Sequence, residues 1–276
     1  MNKIALRSFT LGSLLFASVP AMATGFVVLP TTGFPVAGGA SAYTLCNVTG
    51  DFGSSPDGSI PPTFTPAPGA NNTCAIPSIP TGYAQTANIV RNIVMRNAYT
   101  RNANVTVGTV TDRVWRSGAS CIYGAKIRLN NIDYDRRASS PGTQYFEIND
   151  ILRAGFSTRS PAVAYQFSAN SDDVLYRAGS TLTSIVHRPG DSPQPLTSLA
   201  PISLNWVDFT TDVNFRDDDG SSVRDSSWLL VRSTCTPAAP AALTGALKFR
   251  QMGQEGQPNI EVSVPGYAPV NANINP

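Results

Sequence analysis

The fold is decided by one stretch of alternating side chains, Cys121-Ile122-Tyr123-Gly124-Ala125-Lys126-Ile127-Arg128-Leu129. Its odd-numbered residues are apolar or aromatic, and they share one face of an extended chain because successive side chains of a strand point to opposite sides. Lys126 and Arg128 fall on the other face, as does Asn130 just beyond the stretch. The pattern is typical of an antiparallel strand with one buried face, so it predicts a sheet that covers a hydrophobic core.

Further short strands are predicted on both sides of this stretch. They follow apolar or alternating runs that are separated by turn-forming residues such as Ser139-Ser140-Pro141-Gly142. The predicted strands are Val105–Val110, Ala162–Phe167, Leu182–His187, Ile202–Phe209, Trp228–Arg232, Ala246–Arg250 and Ile260–Val264. Short strands at this spacing indicate a mainly β fold, an antiparallel β-sandwich or barrel-like domain with long loops.

One or two short helices are predicted within the same β-rich region. The first spans Thr86–Ala98, where four apolar side chains recur at the period of a helix: Ile89, Val90, Ile93 and Val94. The second spans Asp150–Gly155, with Asn149 as its N-cap. The first helix is expected to pack against the core.

Residues 1–23 are predicted to be a secretory signal peptide. Lys3 precedes a short apolar stretch, and Ala21 and Ala23 stand at the positions that signal peptidase prefers. No later segment approaches the roughly 20 apolar residues of a membrane helix, so no transmembrane segment is expected after signal removal. Composition then divides the chain into a Gly/Pro-rich, low-charge arm (24–82), a β-rich core domain (83–236) and a C-terminal tail with one or two strands (237–276). The arm is expected to be held by a disulfide rather than by a deep core.

The charge balance restricts the classes of partner. The chain has 20 Lys and Arg residues and 18 Asp and Glu residues. Signal removal takes away Lys3 and Arg7, which leaves 20 − 2 = 18 basic residues against 18 acidic ones. This balance provides neither a basic footprint for nucleic acid nor a polybasic patch for a membrane surface. The partner classes that remain are a metal ion and components of the cell surface.

The four cysteines indicate an oxidising compartment, because an even number in an exported chain favours disulfides. Four cysteines allow three pairings. We favour Cys46–Cys74, which closes a loop in the arm, together with Cys121–Cys235, which ties the start of the core domain to its end. A zinc site is a weaker alternative, since no two cysteines have the close spacing that zinc sites use.

The motifs of common enzymes are missing from the sequence. It contains no G-x-S-x-G elbow, no S-x-x-K, no P-loop and no dinucleotide-binding glycine motif. His187 is the only histidine, and a hydrolase built around it is the enzymatic alternative. We expect a protein that is not an enzyme, with no catalytic residues.

An acidic segment is the first candidate for a metal site. It reads Asp212-Val213-Asn214-Phe215-Arg216-Asp217-Asp218-Asp219-Gly220-Ser221. Dense oxygen ligands beside a glycine turn suit calcium, although the spacing is not that of an EF-hand. The predicted calcium ligands are Asp212, Asn214, Asp217 and Asp219. A solvated acidic turn without an ion is the alternative, because clustered Asp residues also favour turns.

Several segments between residues 104 and 235 resemble the copper-repressible surface proteins of methanotrophs, the MopE/CorA-type family. The segments that carry this resemblance are Val114–Lys126, Tyr145–Asp150, Asp173–Gly179, Thr183–His187, Val207–Asp212 and Asp217–Ser221. In that family, copper is held by two imidazoles and by the amine of kynurenine, an oxidised tryptophan. The resemblance therefore implies copper ligation by Trp115, as kynurenine, and by His187.

The sequence departs from the family pattern at one ligand position. Ser117 stands where the pattern has a second histidine, two residues after the tryptophan. Imidazole and amine nitrogens suit copper, but one imidazole alone does not reproduce the family site. If it is unmodified, Trp115 is a core aromatic residue.

These observations lead to two functional hypotheses. The first is a secreted or surface-associated, non-catalytic metal-binding protein that binds or handles copper. The alternative is a structural or adhesive cell-surface protein on the same scaffold without copper. In both cases the protein is expected outside the cell or on its outer surface, with the periplasm as a further location.

Overall fold

The stretch that begins at Cys121 is the central strand of a β-sheet in the computed structural model. The structure describes residues 25–36, 38–46, 73–166, 172–173, 175–183, 201–216, 223–252 and 257–275. These described residues form strands, turns and loops, and none of them is helical. The strands are β1 (Val27–Val28), β2 (Phe34–Val36), β3 (Gly39–Ser41), β4 (Tyr43–Leu45), β5 (Ala84–Met95), β6 (Val105–Ser117), β7 (Ser120–Leu129), β8 (Glu147–Ala154), β9 (Ala162–Gln166), β10 (Asp172–Asp173), β11 (Arg177–Gly179), β12 (Trp206–Asn214), β13 (Asp225–Ser226), β14 (Trp228–Thr234), β15 (Ala241–Met252) and β16 (Asn259–Ala268).

The first sheet is built around β7. Strand β6 pairs with one edge of β7, and β5 pairs with β6. Along the other edge of β7 lie β13 and β14, one after the other. Strand β9 pairs with β14, β1 pairs with β9, and β10 pairs with β13 as the parallel exception in an otherwise antiparallel sheet.

The second sheet has the strand order β16-β15-β8-β12-β11-β4 and is antiparallel throughout. Its two central strands, β8 and β12, are buried along their whole length. A small hairpin formed by β2 and β3 lies outside both sheets. The two strands predicted for the C-terminal tail are β15 and β16, and they complete one side of this sheet.

A hydrophobic core lies between the two sheets. Val110 and Ile127 from the first sheet share one buried cluster with Ile151, Phe209 and Phe249 from the second. Removing this apolar surface from water is the main driving force for holding two sheets face to face. The prediction of a mainly β, antiparallel sandwich is therefore confirmed.

Both helix predictions are wrong. Residues 84–95 form the edge strand β5, whose inward side chains include Ile93, while Val90 is exposed. The apolar residues there are β-branched, which favours strands, and tertiary pairing with β6 overrides the helical spacing. Residues 147–154 form β8, where both faces are buried and polar side chains occupy part of each. Hydrophobic periodicity cannot identify such a strand.

The arm is expected to be held by a disulfide rather than by a deep core, but two of its strands belong to the two sheets. Strand β1 pairs with β9 in the first sheet, and β4 pairs with β11 in the second. Leu29 and Tyr43 are each only 1% exposed. The arm therefore contributes to the core and connects the two layers.

The predicted disulfide pairing is confirmed. Cys46 is bonded to Cys74, and Cys121 is bonded to Cys235. The first bond follows β4 of the second sheet and precedes Ala75, which bridges to Tyr165 in the first sheet. The second bond joins β7 to the residue that follows β14. Two disulfides are a feature of proteins in oxidising compartments.

Most of the predicted strands are longer or begin elsewhere in the structure. The strand predicted from Ile202 begins at Trp206 and continues to Asn214. Of the strand predicted over residues 182–187, Leu182 and Thr183 are described and are not in a strand, and the other residues lie outside the described part.

Replacing Val90 and Ile93 separately by Thr tests the strand assignment of β5. In a strand, residues three apart lie on opposite faces, whereas in a helix they lie on the same face. We expect Ile93→Thr to lower the free energy of unfolding by about 2 kcal/mol or more, because it removes buried methyl groups and buries a hydroxyl. Val90→Thr should change it by no more than about 0.5 kcal/mol, as for other surface substitutions. Urea unfolding measures both values, and similar losses at the two positions would contradict the assignment.

Candidate functional site

Trp115 is a packed aromatic residue on the outer face of the first sheet. Its side chain is 8% exposed and belongs to an apolar cluster with Ile122 and Leu230. The ring meets Trp228 edge to face, with 5.4 Å between the ring centroids. Gly124 on β7 makes room for it, since a Cβ atom there would lie 2.7 Å from Cζ3 of Trp115.

A guanidinium group lies over this aromatic pair. The Arg113 Cζ atom is 5.4 Å from the Trp115 ring centroid and 4.8 Å from that of Trp228. The Arg113 Nε donates to Asn88 Oδ1 at 3.1 Å, which helps to hold the cation in place. This arrangement stabilises unmodified indole rings. A fixed positive charge next to the ring also opposes the approach of a second cation such as copper.

Only one of the two predicted copper ligands, Trp115, lies in the described part of the chain. Trp115 and Ser117 both lie on strand β6. Because they are two residues apart, they lie on the same face of the strand. His187 lies outside the described residues. Copper ligation by Trp115 and His187 therefore stays a prediction.

The described part of the calcium candidate is a buried polar pair at the end of β12. Asp212 is 4% exposed and Asn214 is fully buried, and the Asn214 Nδ2 donates to Asp212 Oδ1 at 3.3 Å. Glu147 of β8 is the cross-strand partner of Asn214, so a second carboxylate stands at the same end of the sheet. Asp217 and Asp219 lie outside the described residues.

Glu147 already has partners of its own. Its two carboxylate oxygens accept hydrogen bonds from Asn149 Nδ2 at 2.6 Å and from Gln257 Nε2 at 2.7 Å. Among the residues described here, no group of three or more His, Cys, Asp or Glu side chains is placed to hold a metal ion. Calcium ligation by Asp212, Asn214, Asp217 and Asp219 stays a prediction.

A second buried polar group was not identified from the sequence. It lies on the outer face of the second sheet and comprises Tyr43 on β4, Asp150 on β8, Arg177 on β11, and Asp208 and Thr210 on β12. All five side chains are at least nine-tenths buried. The alternation of Asp208 and Thr210 with apolar neighbours is typical of a solvent-facing side, and nothing in the local pattern indicates that this face is covered.

Hydrogen bonds and one cation–π contact connect these five side chains. The Thr210 Oγ1 donates to Asp150 Oδ1 at 3.0 Å and accepts from Arg177 Nε at 3.0 Å. The Arg177 guanidinium also lies over the Tyr43 ring, with 4.4 Å from Cζ to the centroid. The Tyr43 hydroxyl oxygen is 2.6 Å from Asp208 Oδ2. The group therefore forms a continuous network across strands β4, β11, β12 and β8.

The environment shifts the acidity of two members of this network. Burial raises the pKa of the Asp208 carboxyl well above its ordinary value, and the nearby Asp150 carboxylate raises it further. Burial also raises the pKa of the Tyr43 hydroxyl well above its ordinary value, and Asp208 adds to that rise. Both groups are thus driven toward their protonated, neutral forms.

Comparison with known proteins finds no matching family, no similar curated protein and no similar solved structure. Within the residues that the structure describes, there is no helix with the length and hydropathy required to cross a lipid bilayer.

Proposed function

We propose that the protein is an exported, non-catalytic structural or adhesive component of the cell surface. The observation that supports this role best is the way the arm joins the two layers. One chain segment contributes β1 to the first sheet and β4 to the second, and the Cys46–Cys74 disulfide closes it. A sandwich that is cross-linked in this way resists local unfolding. This resistance suits a protein that works outside the cell.

The packing of Trp115 favours this role over copper handling. The ring packs against Trp228 beneath the Arg113 guanidinium, as a core aromatic residue does. That packing accounts for Trp115 without any oxidation to kynurenine. The resemblance to copper-repressible surface proteins supports the same location, because it concerns surface proteins whether or not this chain binds copper.

A deletion strain tests the structural or adhesive role. We expect the loss of the protein to weaken attachment or surface integrity of the cells, and an antibody should label the protein on intact wild-type cells. Complementation with wild-type protein and with His187→Ala should restore the property equally, because the role does not use imidazole chemistry. Labelling only after permeabilisation would contradict the proposal, as would an exported, folded His187→Ala protein that fails to complement.

Metal binding is the second candidate function, and the buried pair of Asp212 and Asn214 favours calcium for it. These two oxygen-bearing side chains contact each other and are hard ligands of the kind that calcium prefers. Calcium bound there would stabilise the end of β12. Copper binding at Trp115 and His187 is supported by the family resemblance alone.

Elemental analysis and thermal unfolding of the purified protein distinguish calcium from copper. The variants Asp212→Ala and His187→Ala serve as controls for each other. Calcium binding predicts that a chelator lowers the melting temperature, by the equivalent of about 2.7 kcal/mol at a calcium concentration of 100 times Kd. Asp212→Ala should abolish this effect, whereas His187→Ala should retain it. Copper binding predicts stoichiometric copper, an oxidised Trp115 in the intact mass, and loss of copper in His187→Ala only. A protein without either metal and indifferent to chelator would eliminate metal binding.

A further inference from the structure

The Tyr43 hydroxyl lies between two oxygen atoms at hydrogen-bonding distance. The carboxylate oxygen Oδ2 of Asp208 is 2.6 Å away, and the backbone carbonyl oxygen of Thr183 is 2.8 Å away. A backbone carbonyl can only accept hydrogen bonds, and a phenol has a single proton to donate. If Asp208 were ionised, two acceptors would compete for that one proton in a buried place.

One distribution of protons satisfies both contacts. A protonated Asp208 donates to the Tyr43 oxygen, and Tyr43 then donates its own proton to the Thr183 carbonyl. We infer that Asp208 is a protonated carboxylic acid in the folded protein and that the relay from Asp208 through Tyr43 to Thr183 is a proton-dependent latch. The latch holds the strap, residues Ser180–Thr183, over the outer face of the second sheet.

The strap is placed over the polar network by contacts along its whole length. Ser180 donates its backbone N–H to Ala42 at 3.2 Å, and the Thr181 hydroxyl donates to the carbonyl of Pro201 at 2.7 Å. The Leu182 carbonyl accepts from Arg250 Nη1 at 2.6 Å. Thr183 continues this series, so the carbonyls of Leu182 and Thr183 are both held by side chains that project from the second sheet.

The cross-strand neighbours explain why a negative charge on Asp208 has little support. Asp208 lies opposite Gly179 on one side and Leu152 on the other, and neither can stabilise a negative charge. Asp150 lies opposite Thr210, which donates to it, and opposite Arg250. The Asp208 Oδ1 is also buried without a hydrogen-bond partner among the described residues, which costs less for a neutral acid than for a carboxylate.

The ionisable groups that face Asp208 come from four strands. They are Tyr43 on β4, Asp150 on β8, Arg177 on β11 and Arg250 on β15. The strap adds no charge, since its residues are Ser, Thr, Leu and Thr. The contact with the Tyr43 hydroxyl and the two arginines favour an ionised Asp208, but burial and the Asp150 carboxylate oppose ionisation more strongly.

The latch makes stability depend on pH in a defined direction. The folded state binds the Asp208 proton more tightly than the unfolded chain, where the pKa of Asp is about 3.9. The stabilisation is therefore fully present below that value and is lost as pH rises through the higher folded pKa. When Asp208 ionises, it draws the Tyr43 proton to itself, and the Thr183 carbonyl loses its donor.

Asp208→Asn is the variant that tests the latch, because an amide can donate to Tyr43 as a neutral acid does. We expect the urea midpoint of the wild type to fall as pH rises from about 4 to about 8, and the fall to be smaller in Asp208→Asn. At neutral pH the variant should be at least as stable as the wild type. Tyr43→Phe should lower the midpoint at every pH. Asp225→Asn is the control, since Asp225 is a partly exposed residue paired with Arg128. This variant should keep the pH dependence of the wild type.

A titration of the unaltered protein keeps the inference testable if a variant fails to fold. Carbon-13 NMR of aspartate-labelled protein should show one carboxyl carbon, that of Asp208, that keeps the chemical shift of a protonated acid at neutral pH. An Asp208 carbon that titrates near the ordinary Asp value would overturn the inference. A folded Asp208→Asn variant that is less stable than the wild type at neutral pH would also overturn it, since that is the result of removing a hydrogen-bonded carboxylate.

Discussion

The architecture depends on a buried ion pair that joins the two sheets. Asp112 of β6 and Arg153 of β8 meet with 2.8 Å between Oδ1 and Nη2, and their side chains are 0% and 2% exposed. The second nitrogen of the guanidinium and the second oxygen of the carboxylate both bond to the backbone of Tyr267 on β16. Arg153 Nη1 donates to the Tyr267 carbonyl at 2.7 Å, and Asp112 Oδ2 accepts from the Tyr267 N–H at 2.6 Å. One carboxylate, one guanidinium and one residue's backbone therefore connect three strands through the core.

This interaction constrains the register of both sheets. Asp112 projects inward between Val110 and Val114, and a slip of one residue along β6 would turn it to the outer face and leave Arg153 as an isolated buried charge. An unpaired ion in the interior is far more costly than a paired one. The pair thus specifies how the layers align, while the surrounding apolar contacts supply the driving force for their association.

The sequence predicts the strands that coincide with apolar or alternating runs. The alternation in β7 predicts its position, and β9, β14 and β16 follow from similar short runs. It does not predict β8, because Arg153 and Asn149 are buried through partners on other strands, and those partners are distant in the sequence. It predicts a helix at β5 because four apolar residues there have helical spacing, although in the strand Ile93 lies inward and Val90 lies on the exposed face. The Gly and Pro content of the arm conceals the short segments that pair with each sheet, so the sequence does not predict β1 and β4.

The candidate functional residues also differ in whether the sequence alone singles them out. Asp212, Asn214 and Trp115 stand out through local patterns, and the structure shows that all three are buried. The network around Asp208 and Tyr43 has no local pattern, because its two central residues are 165 positions apart. Only the pairing of β4 with β11, and of β11 with β12, brings them together. Buried polar networks of this kind are a property of topology, which composition and spacing do not encode.

A double-mutant cycle on Asp112 and Arg153 tests most directly whether the ion pair aligns the sandwich. Asp112→Ala and Arg153→Ala should each lower the free energy of unfolding by about 3–5 kcal/mol, because each leaves the other charge buried and uncompensated. The double variant should lose much less than the sum, with a coupling energy above about 1.5 kcal/mol. Additive losses, or single losses below about 1 kcal/mol as for surface pairs, would contradict the account.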